Sequence, residues 1–232
     1  MNRICSFVCV VVRLAGFFVY AGCTEDTASD DTPCSNATTK VEEQILTLCT
    51  YATNAQCQIG GYVDDMRMGL AQVSNTVEKA RLVKKMEGQI NSLPQLKMDS
   101  VRRRLLYSVV ADLYGVMQDE SYRIGGGREA VLEIWFREME YFKSEIARYE
   151  DIAKRCAAKC EKRELDDCFG MVLSCKTEME RTYYRIDFEN HVAELYCKEH
   201  PEKKAQFVQR VKNTIGRYPE WYVREQSTAG RK

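Results

Sequence analysis

Residues 156–175 read CAAKCEKRELDDCFGMVLSC, and this stretch decides the fold. Cys156 and Cys160 are four apart and Cys168 and Cys175 seven apart, so each pair shares one face of a helix. Between them, Glu161 to Asp167 is polar and charged, as a turn between helices requires. Two helices doubling back here would bring Cys160 opposite Cys168 and Cys156 opposite Cys175 as nested crosslinks. Closing the longer of these loops stabilises by roughly 3 kcal/mol in the chain-entropy description. The alternative, bonds within single helices, is strained.

Working outward, apolar residues step by three or four almost everywhere. Towards the N-terminus, Val131, Trp135, Met139, Phe142, Ile146, Tyr149 and Ala153 lead into Cys156 and Cys160. Beyond the turn, Leu165, Cys168, Val172, Cys175, Met179, Ile186, Ala193 and Cys197 predict one long helix. A helix from about Thr39 carries Val41, Ile45, Leu48 and Cys49, with Thr39 and Glu42 as a capping box. A second from about Tyr62 carries Val63, Met66, Leu70, Val73, Val77 and Ala80, and its phase slips at Val83, Met86 and Ile90. A third opens at Asp99 or Ser100, a loop covers 119–127, and a short sixth holds Val208, Val211 and Ile215. The expected fold is all-α, an elongated antiparallel helical bundle of about five to six helices, stapled by disulfides.

Residues 1–21 read as a signal peptide, with Arg3 and Arg13 as the basic leader and Val19-Tyr20-Ala21 as the cleavage site. Arg13 divides the apolar stretch, so it is too short to span a membrane, and the polar C-terminus offers no anchor. Residues 22–34 form a flexible acidic lead-in, 35–218 a single bundle domain, and 219–232 a tail. The leader takes Cys5 and Cys9, leaving nine of the 11 cysteines. Cys23 is the odd one, a free or modified thiol; lipidation is one alternative. Cys34, Cys49, Cys57 and Cys197 complete the expected framework, in a pairing that spacing leaves open. Asn36-Ala37-Thr38 is a glycosylation acceptor.

Formal charge balances at 34 against 34, which gives no pull toward nucleic acid. Lys84, Lys85, Arg102, Arg103 and Arg104 make a locally basic run, a weak contact for an anionic glycan or a counterweight to the acidic fourth helix. Cys197, His200 and His191, with Cys156 and Cys160, are the conceivable zinc ligands; mutual crosslinking is preferred, and no cofactor or metal is expected. Glu138, Glu140 and Glu145 read as a solvated helix face, and Gly125-Gly126-Gly127 as a flexible loop rather than an anion cradle. Tyr218 to Tyr222, around Trp221, caps the bundle or meets a partner. With two histidines in no acid–base arrangement, an enzyme is not expected. The expected role is binding to another protein as a signal, surface ligand or receptor-like module. The alternatives are carriage of a small apolar ligand and, distantly, a hydrolase.

Overall fold

The computed structural model describes residues 59–92, 99–186 and 191–229. The chain divides after Thr32 into two units, and all described residues lie in the second. The leader, the lead-in, Cys23, Cys34, Asn36, Cys49, Cys57 and the helix expected from Thr39 lie outside the described residues. What is described is helical: α1 (Ile59–Gln72), α2 (Thr76–Ser92), α3 (Ser100–Ser121), α4 (Gly127–Lys159), α5 (Lys162–Tyr184), α6 (Val192–Glu199), α7 (Lys204–Ile215) and α8 (Glu220–Ala229). Among the described residues, no helix is long and apolar enough to cross a membrane.

Three departures from the expected helices have local causes. The helix expected from Tyr62 to Pro94 is two. Asn75 Oδ1 accepts hydrogen bonds from the backbone N–H groups of Val77 (2.9 Å) and Glu78 (3.2 Å), which starts α2 afresh. The break precedes the slip expected at Val83: Met66, Leu70 and Val73 are buried, as are Leu82, Val83, Met86 and Ile90, but Val77, expected in phase, is exposed. The fifth helix ends at Tyr184, and α6 begins after His191, whose backbone is left-handed (φ 48°). The expected C-terminal tail contains α8, and Trp221 is buried against Val208, Val211 and Phe207 in one apolar cluster. It caps the bundle.

The interval expected as a loop, 119–127, is also ordered. α3 runs on to Ser121, and one π turn (Tyr122–Gly126) joins it to α4. Gly125 (φ 91°) and Gly127 (φ 62°) take backbone conformations that disfavour side chains. Between them, a Cβ on Gly126 would lie 2.8 Å from the Ser121 carbonyl oxygen and 2.6 Å from Ala130 Cβ. Gly126→Ala is therefore expected to destabilise by about 1–3 kcal/mol in urea unfolding.

α3 lies at the centre, packed by α1, α2, α4 and α5. Its buried side chains include Leu106, Tyr107, Val110, Leu113, Tyr114 and Met117. Asp99 caps it, accepting from the Arg102 backbone N–H at 2.8 Å. α4 is about 50 Å long at 1.5 Å per residue and serves two apolar clusters. One joins it to α1–α3 and α5, the other to α6–α8. In the second cluster Trp135 meets Phe136 edge-on (4.9 Å between centroids), and Phe136 meets Phe207 (5.4 Å).

The α4–α5 turn forms as the polar stretch demanded. Glu161 N–H bonds to Cys156 O (3.0 Å) and Cys160 N–H to Ala157 O (3.3 Å), the double closure of a Schellman motif. Its left-handed position (φ 61°, ψ 28°) is held by Cys160, where glycine is usual. Cys160→Gly should stabilise by about 1 kcal/mol, raising Tm by about 2–4 °C. A fall in Tm would mean that Cys160 is crosslinked.

Candidate functional site

The largest correction to the sequence reading concerns Glu138 and Glu145. Both are buried, at 0% and 2% exposure, while Glu140 faces solvent as expected. They sit on the inner stripe of α4, which runs Val131, Trp135, Glu138, Phe142, Glu145, Tyr149 at helical spacing. Across from them α5 presents Thr182, Cys175 and Cys168 at intervals of seven. The helices are antiparallel. Glu138 meets Thr182, and further along the hairpin Cys156 meets Cys168.

Glu138 is held by three side chains from two other helices. Thr182 Oγ1 donates to Oε1 at 2.7 Å, and Gln118 Nε2 and Arg185 Nη2 donate to Oε2 at 3.0 and 3.2 Å. These bonds favour the ionised carboxylate, yet burial outweighs them and pushes its pKa up to about 7. Arg185 is the link to solvent. With Asp112, Glu178, Arg181 and Thr182 it borders a cleft of about 580 Å³ between α3 and α5. The arrangement can hold or release one proton near neutrality behind a guanidinium.

Glu145 accepts from Tyr107 Oη at 3.0 Å and from Arg148 Nη1 at 3.2 Å. Burial drives the Tyr107 hydroxyl far above the ordinary tyrosine range, with Cys175 and Glu145 adding to it. Cys175 lies in the same pocket, its thiol pushed up to about 12 by burial. A third buried carboxylate, Glu120, takes Lys79 at 3.1 Å and Arg123 at 2.9 Å.

Cys156, Cys160, Cys168, Cys175 and Cys197 are free thiols in the structure. The register sets Cys156 beside Cys168 rather than Cys175, and leaves Cys160 exposed at the turn instead of against Cys168. Cys175 faces Tyr107, further along the hairpin. The nested geometry expected from spacing differs because Cys160 ends α4 in the left-handed position. It belongs to the turn, not to the helix face.

The basic run does not form one surface. Of its five residues only Lys84 and Arg102 are exposed, and Arg102 Nε lies 3.3 Å from Asp99. Arg103 is buried, because it falls on the face of α3 that carries Tyr107 and Val110, and its charge acts on Tyr141, Tyr149 and Cys175. On α4, Glu133 pairs with Arg210 (2.6 Å), Asp151 with Arg155 and Glu150 with Lys176, all cations outside the run. The zinc set of Cys197, His200 and His191 is not assembled. His191 faces Glu194, His200 stacks on Tyr196, and Cys197 is buried with its thiol pushed up to about 11 by burial.

One surface stands out for its apolar character. Arg104 lies across Gly170, its Nη1 2.7 Å from where a Cβ would project. On either side of this crossing of α3 and α5, Val101 (50%), Leu105 (42%), Phe169 (57%) and Leu173 (67%) are exposed. Each pair is four apart on its helix, so each forms a short apolar ridge. A cleft of about 440 Å³ between α4, α5 and α7 has Ile146, Met179, Tyr183 and Ile215 in its lining, with Lys143, Lys176, Glu180 and Arg217 among its charged residues.

No family model, no curated protein and no solved structure matches this chain.

Proposed function

We propose that this chain is an exported helical protein that acts by binding another protein through the Val101–Leu105–Phe169–Leu173 face. The observation that carries the reading is the exposure of four large apolar side chains around one helix crossing. Scattered single apolar residues are ordinary on protein surfaces, whereas clustered ones mark contact sites. Arg102, Arg104 and Lys176 flank the ridges, Arg102 beside the exposed Asp99 and Lys176 facing Glu150, and Asp166 is exposed on the same side. The partner that fits is an amphipathic segment with an apolar stripe. Export rests on the leader 1–21. The carrier alternative needs a mostly apolar cavity of about 300 Å³ or more; the cleft of about 440 Å³ with Ile146, Met179, Tyr183 and Ile215 in its lining is the place where it would be tested.

The test is a photoreactive benzophenone side chain at Phe169, with Lys154 as the exposed control, irradiated in the fluid into which the protein is exported. A discrete adduct at position 169 alone, lost in Leu173→Asp, is expected. An adduct of twice the chain mass would mean self-association and reject a separate partner. Equal labelling at both positions, or none, would reject the surface. Leu173→Asp leaves Tm within about 1 °C if the ridge is purely a contact surface. Intact mass of the exported chain checks the leader: loss of residues 1–21 is expected, and their retention contradicts it.

A further inference from the structure

We propose that Cys156, Cys168, Glu161 and Glu164 form a binding site for a thiophilic divalent cation of the Zn²⁺ type, closing the α4–α5 hairpin. The thiol of Cys156, a carboxylate oxygen of Glu161 and one of Glu164 lie within 4.8 Å of one another. Cys156 Sγ is 3.4 Å from Glu164 Oε2, and Cys168 is within hydrogen-bonding reach of Cys156. The fold brings them together from both sides of the turn. Cys156 is the residue whose carbonyl closes the Schellman motif, Glu161 is the N-cap residue of α5, and Glu164 and Cys168 lie four apart on one face of that helix.

Two buried thiols and two exposed carboxylates make an S₂O₂ set of the kind Zn²⁺ takes tetrahedrally, with Zn–S of about 2.3 Å and Zn–O of about 2.0–2.2 Å. Such bond lengths separate neighbouring ligand atoms by about 3–4 Å, so small side-chain rotations complete the shell. Charge argues the same way. Burial comes first in raising both thiols above the ordinary cysteine range, and the charges that add to it are all negative. Glu164 acts on both, Glu161 on Cys156 and Asp167 on Cys168. Protons now sit where a dication would satisfy all four groups. On binding, two S–H bonds break, two metal–sulfur bonds form and two protons leave to solvent, with no change of oxidation state. A disulfide between the same cysteines would instead remove the Cys156 proton from Glu164, leaving the carboxylates of Glu161 and Glu164 close together with no proton or cation between them.

The site is independent of the partner-binding face. Full-length protein, reduced with a phosphine and stripped of metal, is titrated with Co²⁺ and then Zn²⁺. One equivalent of Co²⁺ should produce a near-ultraviolet thiolate-to-metal band that Zn²⁺ displaces, with release of two protons. The band should vanish in Cys156→Ser and Cys168→Ser, persist in Cys197→Ser, and require at least tenfold more Co²⁺ in Glu164→Gln, an exposed position that leaves folding intact. Zn²⁺ should raise the Tm of the unmodified chain. Absence of a band in the folded protein, an undiminished band in either serine variant, or unchanged affinity in Glu164→Gln would overturn the proposal. So would a Cys156–Cys168 disulfide in protein isolated without reductant.

Discussion

Glu138→Ala is expected to lower the unfolding free energy by about 3–5 kcal/mol, because it breaks a buried pair from one side. The substitution leaves Arg185, Thr182 and Gln118 without the carboxylate they converge on, and opens a void at a position with no solvent exposure. Glu138→Gln keeps the volume and still accepts from Thr182, so its loss should be nearer 1–2 kcal/mol. Urea unfolding at constant pH separates the two. Equal, small losses for both would mean that the carboxylate is not held as described.

The same residue sets a pH dependence. Its pKa is raised from 4.5 to about 7 in the fold, so between those values the native state keeps a proton that the unfolded chain has lost. The stability contribution is full below pH 4.5 and is lost as pH rises through about 7, on the order of 3 kcal/mol in all. Arg185, Thr182 and Gln118 oppose the shift and Glu178 adds to it, with burial dominant. Glu138→Gln should flatten that segment of the stability–pH curve.

Trp135→Ala should cost about 3–5 kcal/mol. Its ring is 1% exposed and packs on Phe136, which in turn meets Phe207 on α7. Its Nε1–H donates to the Thr182 carbonyl at 3.4 Å, across the hairpin beside Glu138. Because Trp135 belongs to the cluster shared with α6–α8, amide exchange in those helices should accelerate more than in α1–α3. Uniform acceleration would mean that the two clusters unfold as one.

The helical class was legible because apolar spacing fixes which face of a helix is buried. The Val131-to-Cys156 stripe and the polar turn after it appear in α4 and α5 as read. A slip of phase was read at Val83 inside one helix, whereas the break is at Asn75, made by a side-chain cap that periodicity does not register. Glu138 and Glu145 were misread for a physical reason. They occupy stripe positions seven apart, and position argued for burial while charge argued for solvent. Charge was given the greater weight. The partners that make burial tolerable, Gln118, Thr182, Tyr107 and Arg185, come from two other helices, so no local pattern announces them. The cysteine register failed similarly: α4 stops at Lys159, and a turn-bound Cys160 cannot act as a helix-face residue. The contact face around Gly170 depends on where two helices cross, which spacing alone does not give.

The central claim is that α4 and α5 pair in a register that seals a carboxylate among Thr182, Gln118 and Arg185. Carbon-detected NMR titration of the Glu138 side-chain carboxyl in the full-length protein tests it most directly. A midpoint near pH 7, against ordinary values for exposed glutamates such as Glu140, is the predicted result. A Glu138 midpoint near 4.5, indistinguishable from the exposed groups, would contradict it.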